Sequence, residues 1–295
     1  MLVVAKFGGT SVGNAQAFKQ VANIVHNNIK IRVVVLSAIS GVTNKLIEIF
    51  KQPYNNRKNK CLDIISLHEN IISQLQLNKN KITALTQPLF NELFIISKLT
   101  ATKSLLDQLL SVGERLSSMI MTEVLKQYDV RAIFVDARNL IITDDYFGKA
   151  TPELNEIKFR CQDKIIPLLK EHIIVTQGFI GSTAEGVTTT LGRGGSDYSA
   201  ALFAEALNAN LLEIYTDVKG VYTGDPMLIP NAQVIPILSF NMMERLSKSG
   251  AKVLHPDTLF PCVRMNIPIM VKSTFAPDIT LKILANNCLL ITSKV

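Results

Sequence analysis

The 295-residue chain has no tryptophan, only four cysteines and four histidines, and only 6% aromatic residues. Cys61, Cys161, Cys262 and Cys288 stand apart, with no C-x-x-C pair and no histidine at metal-ligand spacing. That pattern argues against a zinc site or a disulfide scaffold and reads as isolated reduced thiols. No apolar run approaches the roughly 18 to 20 residues that cross a bilayer. The opening stretch, Met1-Leu2-Val3-Val4-Ala5-Lys6, lacks the basic flank and small-residue cleavage site of a signal peptide and reads as a strand. The expectation is a cytoplasmic protein without a membrane segment. Catalytic signatures are missing too: H-E-x-x-H, G-x-S-x-G, G-x-G-x-x-G and the Walker A pattern find no match. Hydrolase and dehydrogenase readings lose most of their support with them.

Hydrophobic residues supply 47% of the chain and charged residues 19%, which suits a folded α/β domain or two modest lobes with a substantial core. The net charge of +7 raises nucleic-acid binding. The lysines are scattered, however, and the densest basic cluster, Arg57-Lys58-Asn59-Lys60, reads as a solvated loop within an Asn/Lys-rich stretch at 51–60. The excess positive charge instead suits a site that gathers small anions. No nucleic-acid partner is expected.

Strand and helix patterns alternate. Leu2 to Phe7 is a β-branched run followed by glycines. Phe18, Val21, Ala22, Val25 and Ile29 then fall on one helical face. Ile31 to Ser37 reads as a buried strand, so the chain begins βαβ and predicts a mainly parallel sheet covered on both faces. Residues 45 to about 127 read as helical. Strands resume at Ala132–Val135, Ile173–Thr176, Leu211–Thr216 and Ile267–Lys272, and Gly181 to Leu191 suggests a β-hairpin. A lobe boundary is expected near residue 200. In such folds sites gather where strands end, so the loops after strands carry the search.

Four loops stand out. In Lys6-Phe7-Gly8-Gly9-Thr10-Ser11-Val12-Gly13, a lysine ends the first strand and two glycines allow backbone amides close to a phosphate. Lys6 would place a point charge where a transferring phosphoryl group gathers negative charge. In Leu191-Gly192-Arg193-Gly194-Gly195-Ser196-Asp197-Tyr198, a glycine-rich turn enters an apolar helix, with Ser196 or Asp197 as its cap and Arg193 suited to grip a carboxylate. Tyr215-Thr216-Asp217 through Asp225-Pro226 follows an apolar strand and mixes turn residues with a tyrosine that reads as exposed, a place for a base or ribose. Ser249-Gly250-Ala251-Lys252-Val253-Leu254-His255-Pro256 puts Lys252 after small residues, within reach of a phosphate, and reads His255 as packed. Each loop alone is also readable as an ordinary turn.

In this order the loops, together with Gly41-Val42-Thr43-Asn44, Gly113-Glu114 and Thr176-Gln177-Gly178-Phe179-Ile180-Gly181, resemble the catalytic domain of aspartate kinases, within the amino-acid kinase family. The likeness spans essentially the whole chain and is greatest to the lysine-sensitive single-function type. It implies a three-layer αβα sandwich in two lobes, residues 1–200 holding aspartate and 201–295 holding ATP. It implies transfer of the ATP γ-phosphoryl group to the β-carboxylate of L-aspartate, giving 4-phospho-L-aspartate for lysine, diaminopimelate, threonine and methionine synthesis. Lys6 and Lys252 would stabilise the phosphoryl group, and Asp197 would orient Lys6. Thr43, Glu114, Arg193 and Ser196 would hold aspartate, with Glu114 facing its ammonium. Lys6, Gly8, Gly9, Thr216, Asp217, Tyr222 and Lys252 would meet the nucleotide, which arrives with Mg²⁺ carried largely by its phosphates and waters. Met227 stands where family members commonly have an arginine after Asp225-Pro226, with Lys219 nearby as a second cation. The match stops short of ACT regulatory domains, so feedback by lysine or threonine through them is not expected, and a homodimer stays open. Two alternatives also stay open: a kinase for another small acid, and an impaired homologue that binds a ligand or partner.

Overall fold

The computed structural model describes residues 1–216, 221–222, 234–248, 254, 256–276 and 280–284. Its centre is an eight-stranded sheet built outward from the first strand, β1 (Val3–Phe7). On one side β1 pairs in parallel with β2 (Ile31–Leu36), which pairs with β4 (Ile173–Gln177) and then with the edge strand β3 (Ala132–Phe134). On the other side β1 pairs in parallel with β7 (Leu211–Thr216), followed by β11 (Ile269–Ser273), β12 (Thr280–Leu284) and β10 (Ile237–Ser239). The β11–β12 pair alone runs antiparallel in this sheet. A short hairpin of β5 (Ile180–Ser182) and β6 (Thr188–Thr190) realises the turn-rich stretch 181–191. β8 (Val221–Tyr222) pairs with β9 (Val234–Ile235).

Alternation along the strands divides the core in two. Val3, Ala5 and Phe7 of β1 face one layer, made of α1 (Ala15–Asn27), α2 (Val42–Lys51), α3 (Tyr54–Leu75), α4 (Lys79–Ser97) and α5 (Lys103–Gln127). Val4 faces the second layer, made of α6 (Leu154–Lys164), α7 (Gly195–Ala206), α8 (Phe240–Lys248) and α9 (Pro256–Met265). The three-layer αβα sandwich is the expected fold class. Lys6 follows Val4 on this second face, beneath α7, which decides what it can touch.

Three local readings are corrected. Ile29 is 84% exposed and lies beyond α1, because the chain leaves the helix at Asn28 and turns, Ile31 N donating to Asn28 O, to enter β2. The stretch at 51–60 is the end of α2 and, from Tyr54, the start of α3 rather than a solvated loop. Arg57 there donates to the carbonyls of Ser97 and Leu99, partners that the C-terminal end of α4 otherwise lacks. A contact across 40 residues leaves no local sequence trace. Finally, Tyr215 is buried, stacked on Phe7 with ring centroids 4.5 Å apart, its hydroxyl donating to Glu213.

Cys61, Cys161 and Cys262 are buried and unpaired. Burial pushes the Cys161 and Cys262 thiols up to about 12, so they stay protonated and inert. Among the described residues no helix is long and apolar enough to cross a membrane.

Candidate active site

The carboxyl ends of β1, β2, β4 and β7 open on a cavity of about 520 Å³. It lies where chain connections part to the two sides of the sheet, the position at which open parallel sheets bind ligands. Lys6 enters from β1. Its ammonium sits 2.6 Å from Asp197 Oδ1 in an ion contact that lacks hydrogen-bond alignment. Asp197 belongs to the first turn of α7. A strand lysine and a helix aspartate 191 positions apart are thus brought together, as the resemblance implies.

The glycines do not act alike. Gly8 and Gly9 both line the cavity. The Gly8 amide, however, donates to the Tyr215 carbonyl at 3.2 Å, extending the β1–β7 pairing by one residue. It is therefore not free for a phosphate, although Gly8 lies beside the Lys6 ammonium. Gly194 takes a left-handed φ of 75° and is the N-cap of α7. Neither Ser196 nor Asp197 caps that helix, contrary to expectation. The glycine turn places both inside the first helical turn, where they line the cavity.

Two helix N-termini converge here, α7 from Gly194 and α2 from Gly41, with Thr43 and Asn44 of α2 also in the wall. Unpaired amides and the positive end of each helix favour anions. The opposite requirement comes from Glu114 of α5, which is 2% exposed. Burial pushes its carboxyl up to about 8, only partly offset by backbone hydrogen bonds at Glu114 and Ala38. Its Oε2 has no hydrogen-bond partner among the described residues. A buried carboxylate oxygen without a donor, in a cavity wall, is a place for a cationic group.

The end of β4 locks these parts together. A Cβ on Gly178 would lie 2.7 Å from Ser196 Cα, so only glycine lets the strand meet the first turn of α7. Phe179 then adopts φ of 70°, rare for an aromatic residue, its N–H donating to Ser199 Oγ at 2.9 Å. Gly178→Ala is expected to lower kcat at least about tenfold and the melting temperature by roughly 3 to 6 °C, because overpacking costs on the order of 1–3 kcal/mol. Steady-state kinetics beside calorimetry would check both; unchanged values would mean the contact relaxes freely.

Of the remaining candidates, Thr216 lines the cavity at the end of β7. Arg193 is exposed, outside the lining, and makes no ion pair among the described residues. Asp217, Lys219, Met227, Lys252 and His255 lie outside the described residues, as does the side chain of Tyr222. Ser37, Ser40 and Phe179 also line the cavity and were not singled out from sequence. Their signal was position: Ser37 directly follows the apolar β2, Ser40 lies in the same loop before α2, and Phe179 follows β4.

Comparison with known proteins gives a consistent picture. A model of the amino acid kinase family matches residues 1–273. The chain is 39% identical over 279 residues to lysine-sensitive aspartokinase 3 of Escherichia coli, covering 94% of this chain and 62% of that protein. It is 38% identical to an aspartokinase of Chlamydia trachomatis, covering 92% of this chain and 62% of that protein. The crystal structure of E. coli aspartokinase III in complex with aspartate and ADP matches with a TM-score of 0.92 and 38% identity, over 97% of this chain and 65% of that one. The chain thus spans less than two thirds of these relatives' length. UMP kinase of Ureaplasma parvum, 15% identical with a TM-score of 0.52, shares the fold.

Proposed function

The chain belongs to the amino acid kinase family, and on that premise we propose that it transfers the γ-phosphoryl group of ATP to the β-carboxylate of L-aspartate. One observation carries the reading: a single cavity opposes an unpartnered, buried Glu114 oxygen to two helix N-termini and a buried lysine. A ligand with one ammonium and two carboxylates satisfies that arrangement. The aspartate and ADP held by the E. coli enzyme support it.

The chemistry asks little covalent work of the protein. An oxygen of the β-carboxylate attacks the γ-phosphorus and the bond to the β-phosphate oxygen breaks, giving an acyl phosphate and ADP. No proton needs to leave the nucleophile, already an anion. The barrier lies in bringing two anions together, and a fixed cation with oriented amides lowers it. Glu114 holds the ammonium. The first turns of α2 and α7, with Thr43 and Ser196, hold carboxylates, and Arg193 closes on one from outside. Lys6, steadied by Asp197, meets the phosphoryl oxygens with Lys252. Thr216, Asp217 and Tyr222 meet the nucleotide. We read residues 1–200 as the aspartate-holding part and 201–295 as the nucleotide-holding part.

The nucleotide would bring Mg²⁺. No cluster of three His, Cys, Asp or Glu side chains exists among the described residues, and the cavity wall offers Asp197 and Glu114 as its carboxylates, a donor set that fits an ion held mainly by phosphates and water. Bound there, Mg²⁺ would neutralise phosphate charge. A cytoplasmic enzyme in the synthesis of aspartate-derived amino acids follows from this reading.

Incubation with ATP, Mg²⁺ and each of several acids, trapping acyl phosphate with hydroxylamine, tests it. Hydroxamate is expected with aspartate and at most about a hundredth as much with glutamate, since a misplaced carboxylate forfeits the aligned geometry. No signal with aspartate would end the proposal.

A further inference from the structure

Gln177 ends β4 and is fully buried. Its Oε1 accepts from Ala137 N at 2.7 Å, and its Nε2 donates to Ser118 Oγ at 2.8 Å. Ser118 in turn donates its single hydroxyl proton to the Glu114 carbonyl at 2.6 Å. Each choice is forced by the next. Ala137 N–H needs an acceptor, and a hydroxyl that has given its proton needs a donor, so the amide must present oxygen one way and nitrogen the other. Glutamate, ionised, would offer a second acceptor to Ser118, and leucine would offer nothing to either partner. Ser117 has one hydroxyl proton for two acceptors, the Ser37 carbonyl at 2.7 Å and the Glu114 carbonyl at 3.0 Å, and the shorter contact ties α5 to the end of β2. The Glu114 backbone is therefore held from β4 through the Ser118 relay, while its carboxylate is left to the cavity.

We infer that Gln177 is a positioning residue for Glu114, fixing the turn of α5 that presents this carboxylate to the substrate's ammonium. The inference rests on the reading of Glu114 given above and adds the residue that sets its place. A buried amide at the end of a buried strand is costly without a purpose. Here it connects the strand, through Ser118, to the turn of α5 that carries the cavity's buried acid, with the Glu114 carbonyl at 2.6 Å and the Arg115 carbonyl at 3.2 Å. Its effect is on amino-acid binding, and the nucleotide end of the site is untouched.

The test pairs Gln177→Leu with Ser118→Ala and Ser118→Thr, the last keeping the hydroxyl. Gln177→Leu and Ser118→Ala are expected to raise KM for aspartate about tenfold, with KM for ATP and kcat within about threefold, and Ser118→Thr to restore the wild-type value. Parallel rises in both KM values would reduce Gln177 to a general structural tie and overturn the inference. A second readout needs no turnover: the Glu114 carboxyl is followed by ¹³C NMR, assigned by its loss in Glu114→Gln. Loosening α5 admits water to the carboxyl, so its midpoint should fall in Gln177→Leu; an unchanged midpoint would also overturn the inference. If the wild-type enzyme fails to phosphorylate aspartate, the substrate reading falls by itself, and the titration still decides the role of Gln177.

Discussion

Replacing Lys6 by alanine is expected to lower kcat at least about a hundredfold while KM for each substrate changes by no more than about threefold. The side chain is 11% exposed and its ammonium lies in the cavity wall, 2.6 Å from Asp197. Removing it does two things. The cation that would meet the phosphoryl oxygens is lost, and the carboxylate of Asp197 is left without its counter-charge where a polyanion must approach. Both act most strongly as charge moves across the transferring group, so the loss falls on kcat. Turnover by stopped assay, with circular dichroism to confirm folding, gives the answer. Near-normal kcat in a folded variant would mean that Lys6 only neutralises Asp197, and phosphoryl contact would have to be sought elsewhere.

Glu114→Gln should separate binding from stability in opposite directions. The amide keeps the shape but loses the charge-assisted bond to the ammonium, worth on the order of 1.5–3 kcal/mol, so KM for aspartate should rise roughly tenfold to a hundredfold. Stability should move the other way. The folded carboxyl holds its proton to about pH 8, above its ordinary 4.5. Between those values the unfolded chain has released a proton that the folded chain retains, so ionisable Glu114 lowers stability progressively as pH rises through this window. Glutamine carries no such cost. The variant should melt above the wild type by on the order of 4 °C at pH 8, the gain shrinking toward pH 5. The same proton must leave when an ammonium binds, so wild-type KM for aspartate should fall by up to about tenfold per unit as pH rises from 6 to 8, and be flat in Glu114→Gln. A wild-type KM independent of pH would place the ammonium away from Glu114.

Much of this was legible in the sequence, and the limits have physical causes. β7 was read to the residue because Leu211–Thr216 is an apolar run closed by turn residues. The lysine at the end of β1 and the glycine turn before α7 were visible as local chemistry, and their order through the chain pointed to one family. What escaped was set by distant contacts. Arg57 belongs to a helix because the carbonyls of Ser97 and Leu99 receive it, and Gly8 gives its amide to a strand 207 residues onward. Gln177 lay inside a quoted motif, yet its role depends on a hydroxyl of α5 and an amide beyond β3, which no spacing reveals. Glu114 was assigned by resemblance; the reason it can serve, an oxygen buried without a donor, exists only in three dimensions.

The central place of β1 also bears on how the protein is made. Its first neighbour, β2, follows within about thirty residues, but its second, β7, begins at Leu211, and Leu2 N finds its partner on Asn210. During synthesis the opening strand must therefore wait, one edge unpaired, until most of the chain has emerged. Such late closure slows folding and leaves a strand edge open to wrong partners in the meantime. Lys6 precedes Asp197 by 191 residues and acquires its surroundings late, so a chain interrupted before α7 carries the lysine but not its aspartate.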